Sequence, residues 1–213
     1  MSPHSNLEDE IASLGAALSN NAFPKSEFLM KCVPSHALIV SCGCVIVDPT
    51  ARKIAILQDP ETNITQLPKG RKNINEEFAA TALREAYEET GIRVTPLPLK
   101  IATRATPTED MLHLVRKDED GHPEDVTSAV PNCEPLAVCY HRCSSTLAYK
   151  LVFWYAAQGD SVLKRAEGTM EVWEHFQVEW VDARSAAGTM TMAADGEVID
   201  KLLCDMVASG YDI

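Results

Sequence analysis

Residues 84–91 read REAYEETG and carry Glu85, Glu88 and Glu89 within five positions. At about 100° per residue a helix places all three on one face. The chain already has a formal net charge of -12, so these like charges weaken the helix unless something cationic lies among them. Ala79, Ala82, Leu83, Ala86 and Thr90 form the opposite stripe. Their small size predicts a helix over about 75–90 packed closely on a sheet, with the carboxylates turned away from the core. Asn75 is the expected N-cap, Glu76 and Glu77 suit the positive helix start, and Gly91 supplies the left-handed residue that ends it.

Around this helix the pattern alternates strand and turn. ALIVSCGCVIV, residues 37–47, is rich in β-branched residues and predicts a buried strand bent or bulged near Gly43. Asp48-Pro49-Thr50 turns it into a partner over 53–58. A short strand over 65–67, a glycine-containing loop and the helix follow, then strands over 93–103, 147–156 and 176–181. A closing helix over about 195–208 has Val198, Leu202, Leu203, Met206 and Val207 on its apolar side. Leu7, Ile11, Leu14 and Leu18 predict an N-terminal helical extension over 1–35, preceding one core domain over 36–213. Within that domain, 106–130 is polar, holds the charged run RKDEDGHPED, and reads as a flexible insertion.

Composition narrows the class of ligand. An acidic chain lacks the basic surface that releases counterions from nucleic acid or meets anionic lipid, so an anionic ligand needs local cations or a metal. The apolar runs are too short to span a bilayer, and the acidic N-terminus lacks the pattern of a secretory signal. Seven cysteines without a regular framework read as reduced thiols. Together these features predict a location in the cytoplasm, and also the nucleus, with no membrane partner. Cys133, Cys139, His141 and Cys143 match no usual zinc spacing, and one face of a strand produces their alternation.

Three carboxylates on one face make a hard, oxygen-rich site, suited to Mg2+ or Mn2+ rather than zinc. The surrounding spacing is more specific. Gly70, Glu76, Arg84, Glu85, Glu88, Glu89 and Gly91 stand in the pattern G-x5-E-x7-R-E-U-x-E-E-x-G-U, where U is apolar and Ala86 is a small variant. This resembles the Nudix box, the signature of the Nudix hydrolases. The resemblance implies an α/β fold, an α/β/α sandwich around a mixed β-sheet, and Mg2+-dependent cleavage of a phosphoanhydride by water. It assigns Gly70, Glu85, Glu88 and Glu89 to the metal site. Arg84 orients the carboxylates through a charge-assisted hydrogen bond that Glu76 shares, and Glu88, Glu89 and Arg84 form the catalytic group.

LPKGRK runs into the box, so Lys69, Arg71 and Lys72 are candidate substrate cations, with Arg104 beyond the helix as a fourth. WEHFQVEWVDA resembles a later segment of Nudix hydrolases, in which Glu174 becomes the candidate further ligand or general base and Glu171 its rival. The expected substrate is a small-molecule polyphosphate of the diphosphoinositol polyphosphate or diadenosine polyphosphate type. Capped RNA, ADP-ribose or a dinucleotide are the alternatives, and an idle nucleotide-binding or protein-interaction module is the alternative of another class.

Overall fold

A central strand with two different neighbours on one edge organises the molecule. In the computed structural model, residues 32–115, 117, 130–143 and 146–213 are described. The expected helix over 7–18 lies outside them, as does most of the expected insertion. Strand β1 (Leu38–Asp48) runs parallel to β7 (Tyr149–Gln158) over ten consecutive pairs, from Leu38 with Tyr149 to Val47 with Gln158. On its other edge β1 divides. Its first half pairs with β4 (Lys69–Arg71) and its second with β2 (Lys53–Gln58), both antiparallel. The expected bulge near Gly43 is not formed, because the register with β7 continues unbroken past it.

The sheet extends through β3 (Thr65–Gln66) and β8 (Gln177–Asp182) on β2, and through β5 (Thr95–Pro96) and β6 (Ala137–Arg142) on β7. With one parallel pair among antiparallel ones it is mixed. The expected strand over 93–103 shrinks to β5 and a single bridge between Leu99 and Asn132. Pro96 and Pro98 have no amide hydrogen to donate to a ladder, although Leu97, Leu99 and Ile101 still alternate into the core.

Strand alternation then builds two apolar layers. Cys42, Cys44 and Ile46 of β1 face Ala82 and Ala86 of helix α1 (Phe78–Thr90), with Phe78 and Phe153 rings 4.7 Å apart at the margin. Val45 and Val47 face the opposite layer, where Trp154 meets Ala183 and Ala186 of α2 (Ala183–Thr189) and Ile199, Leu202 and Met206 of α3 (Ala193–Ala208). Helix α2 carries no strong periodicity in sequence; Asp182 caps it by accepting from the Arg184 amide at 3.0 Å.

Candidate active site

Helix α1 lies along the outer edge of β4, and that edge decides where its acidic side chains go. Lys69 and Gly43 face each other across the β4–β1 ladder, and the Lys69 amide, turned outward, donates to Glu89 Oε2 at 2.7 Å. Glu89 is only 5% exposed and Glu85 only 9%. The expectation that the carboxylates turn away from the core is therefore corrected. Glu85 and Glu89, one turn apart, share the buried stripe with Ala82 and Ala86, whereas Ala79 is exposed. Polar backbone at a strand edge, which sequence periodicity does not reveal, makes that burial tolerable.

Gly70 is required by this approach. A Cβ there would stand 1.9 Å from Glu85 Oε2. Gly91 ends α1 in the left-handed region, at φ 68°, with its amide donating to the Tyr87 carbonyl at 2.8 Å. The helix start differs from expectation. Asn75 has φ 62° and caps nothing, and α1 begins at Phe78 because Asn73 and Glu76 close a turn first, the Asn73 amide donating to Glu76 Oε2 at 2.9 Å.

Arg84 gathers the charges. Its Nε and Nη2 donate to the two oxygens of Glu76 at 2.7 and 2.9 Å. Nη1 donates to Glu85 at 2.7 Å and to Glu88 at 2.6 Å. Nη2 also reaches the Arg71 carbonyl at 3.0 Å, tying α1 to β4. The planar fork makes all of these at once, which a lysine cannot do. Arg84 is thus both the i,i+4 partner of Glu88 and the centre of the motif. Thr81 completes the shell of Glu76 by donating its hydroxyl at 2.8 Å.

These contacts spread the proton affinities apart. Hydrogen bonds from Arg84, opposed by burial, hold the Glu76 carboxyl down at about 2. Glu89 is pushed the other way, to about 8, because burial outweighs Lys69 and the charges of Glu174 and Glu85 add to it. Burial also raises Glu85 against the pull of Arg84. The charge of Glu174 acts on both buried glutamates. Glu174 folds back on a turn in which the Glu171 amide donates to its Oε2 at 3.3 Å.

The basic residues do not stay together. Lys69 and Arg71 stand on a strand rather than a loop and share one face, whereas Lys72, just past its end, lies towards the Cys42 side. Lys69 Nζ donates to Gln66 Oε1 at 2.7 Å, and Lys72 Nζ to the Asn73 carbonyl at 2.9 Å. Arg104 is exposed in the segment after Ile101. Lys150, which gave no signal in the sequence, comes to the Lys69 and Arg71 face from β7. An isolated lysine in an apolar strand was its only trace.

Among the described residues no three carboxylate, imidazole or thiol groups already converge as a metal cage. Glu85 and Glu88 are turned to Arg84 instead. The donor set nevertheless fits a hard divalent cation. Every side chain is an oxygen ligand, Gly70 leaves room against Glu85, and a buried Glu89 raised to about 8 marks a place short of positive charge.

A family model for the NUDIX domain matches residues 37–133, just under half of the chain. Over that span the chain is similar to a NUDIX domain. The matched span contains β1 to β5 and α1, hence the whole Nudix box. No curated protein matches the sequence. Among solved structures, an Ap4A hydrolase binary complex from C. elegans aligns with 16% identity and a TM-score of 0.50, over 80% of this chain and 98% of that one. A NUDIX hydrolase from Nitrosomonas europaea aligns with 13% identity and a TM-score of 0.49, over 78% and 88%. The E. coli dihydroneopterin triphosphate pyrophosphohydrolase aligns with 16% identity and a TM-score of 0.47, over 78% and 94%. At these identities the likeness is one of fold, the Nudix fold with its mixed β-sheet. Among the described residues no helix is long and apolar enough to cross a membrane.

Proposed function

We propose that this Nudix domain, taken as residues 36–213 behind an N-terminal extension, is a Mg2+-dependent pyrophosphohydrolase acting on diphosphoinositol polyphosphates or diadenosine polyphosphates. The observation that carries the reading is the Arg84 hub. One guanidinium fixes Glu76, Glu85 and Glu88 while Glu89 is held on the Lys69 amide, so the carboxylates are positioned before any ligand arrives. Gly70, Glu85, Glu88 and Glu89 would hold Mg2+, or Mn2+ in its place. Bound there, the ion supplies charge stabilisation to the phosphoanhydride being cut.

The protein's own groups do the rest. Arg84 keeps Glu85 and Glu88 in place, so its role is positioning. Glu174, whose charge reaches Glu85 and Glu89, takes the proton of the attacking water on a carboxylate oxygen. Lys69 and Arg71 face the substrate phosphates, and Lys72 and Arg104 contact it from outside. The Glu174-His175 pair before Trp180, together with the basic residues beside Gly70, supports a polyphosphate over ADP-ribose or a dinucleotide.

The test is Mg2+-dependent turnover of a panel containing both polyphosphate classes, ADP-ribose and capped RNA, with Glu88→Gln and Glu89→Gln beside the parent. Hydrolysis of a polyphosphate by the parent, reduced a hundredfold or more in both variants, is expected; an order of this size follows the loss of a charged group acting in the transition state. Ligand binding without turnover would replace this reading by an idle module, and activity on capped RNA alone would sink the small-molecule substrate.

A further inference from the structure

The face of the sheet away from α1 carries a group of cations beside the catalytic edge, with the charge of Glu89 reaching Lys69 and Lys150. Lys69 and Arg71 both project to this face: a Cβ built on Gly43, whose face this is, would lie 2.7 Å from Lys69 Cβ, and Arg71 pairs with Ser41 two residues along. Lys150 stands on the same face from β7, one step from Val152, which is the β7 partner of Ser41. On its other side Lys150 pairs with His141 of β6. Lys150 is half-buried, and its ammonium is weakened first by burial and then by the charges of Lys69 and Arg71. Lys69 has Glu89 and Asp195 within reach of its charge. Among the described residues neither Arg71 nor Lys150 forms an ion pair.

A second observation points to a ligand here. Ser41 lies between these cations, is 0% exposed, and its hydroxyl has no hydrogen-bond partner. A buried hydroxyl left unpaired costs stability, and converging like charges cost more. One multiply charged anion would relieve both. Lys69 also links the two regions, because its amide holds Glu89 at the edge of β4 while its side chain belongs to this face. A phosphate chain cut at the edge would continue onto the cations.

We infer that Lys150 and Arg71, with Lys69 between them and the carboxylates, form a second anion subsite that holds substrate phosphates beyond the scissile anhydride. The preferred substrate then carries at least three phosphates, in line or around a ring, and a simple diphosphate-linked compound leaves the subsite unfilled. This rests on the proposed hydrolase reading for its use in turnover, and on the cation cluster alone for binding.

The two are separable. In metal-free buffer, inorganic tripolyphosphate and inositol hexakisphosphate are titrated into the full chain by calorimetry. At least one should bind, and Lys150→Gln and Arg71→Gln should each weaken it by about tenfold, as expected for loss of one charge-assisted hydrogen bond. Lys150→Arg should restore most of the affinity, which excludes a folding defect. The tighter of the two probes tells a linear chain from a ring. If neither binds the parent, or if Lys150→Gln binds as the parent does, the subsite is overturned even for an active hydrolase. In turnover, the kcat/KM preference for a dinucleoside tetraphosphate over its diphosphate analogue should collapse in Lys150→Gln through KM; a preference that survives also overturns it.

Discussion

Arg84 grips both carboxylate oxygens of Glu76 with Nε and Nη2, at 2.7 and 2.9 Å, across eight residues of sequence. The pair locks the turn before α1 to its middle. It also leaves Nη1 free to meet Glu85 and Glu88, so the geometry of those two side chains depends on how Glu76 holds the other side of the guanidinium. Arg84→Lys keeps the charge and loses the fork. It should lower kcat by about a hundredfold with a small change in KM, the signature of misplaced catalytic groups. Steady-state kinetics on whichever panel substrate is turned over decide this, and a change in KM alone would contradict the positioning role.

Glu76 makes a prediction about acid. Its folded carboxyl lies at about 2, below the ordinary carboxylate range. A depressed carboxylate adds stability that is complete above the unfolded value, near 4.5, and is lost as pH falls towards the folded value. The stabilisation is on the order of 2 kcal/mol. Chemical denaturation of the parent and Glu76→Gln between pH 6 and about 2.5 should show the gap between them closing as the acid limit is approached. A constant gap would show that Glu76 is protonated or unpaired throughout.

Glu89 runs the other way. With its folded value near 8 and its unfolded value near 4.5, the native state binds a proton that the unfolded state has released across that window. Metal-free stability should therefore fall as pH rises from about 5 to 8. Glu85 is raised too and adds in the same direction. Melting curves should show this slope in the parent, a shallower one in Glu89→Gln, and a loss of the slope when Mg2+ is added, since a cation favours the ionised form.

Two glycines separate fold from chemistry. Gly91→Ala forces φ 68° on a residue with a Cβ and places that Cβ 2.2 Å from the Ala166 carbonyl oxygen. A loss of about 2 kcal/mol or more in stability is expected. Gly70→Ala meets the Glu85 carboxylate at 1.9 Å, a movable side chain. It should fold, melt within a few degrees of the parent, and lose most of its Mg2+-dependent turnover. Thermal melts read beside activity distinguish the two; a fully active Gly70→Ala would remove Glu85 from the site.

The assignment of Glu174 over its neighbour is also checkable. Glu174→Gln should reduce kcat by about a hundredfold, in the range expected for loss of a general base. Glu171→Gln, on an exposed residue, should leave kcat within about twofold. The reverse result would exchange their roles.

The sequence by itself determined that a helix runs up to residue 90, that Gly91 ends it, and that seven residues stand at the spacing of a Nudix box, although it set the helix start near 75 rather than at Phe78. These follow from local rules: helical period, a left-handed terminator, and carboxylate chemistry. It also located β1, β2, β7, β8 and the closing helix, because each has its own apolar rhythm. What it could not determine is which side of a strand a side chain meets and what stands opposite. LPKGRK reads as one basic patch, yet β4 sets Lys69 and Arg71 on one face, and Lys72, just past its end, lies towards the Cys42 side. Glu85 and Glu89 read as an outward face, yet the free edge of β4 supplies the donor and the space that let them be buried. Lys150 reads as nothing, and joins Arg71 only because β7 and β4 flank the same half of β1. Burial, proton affinity and the meeting of distant charges belong to pairings across the sheet, and those were decided by tertiary structure alone.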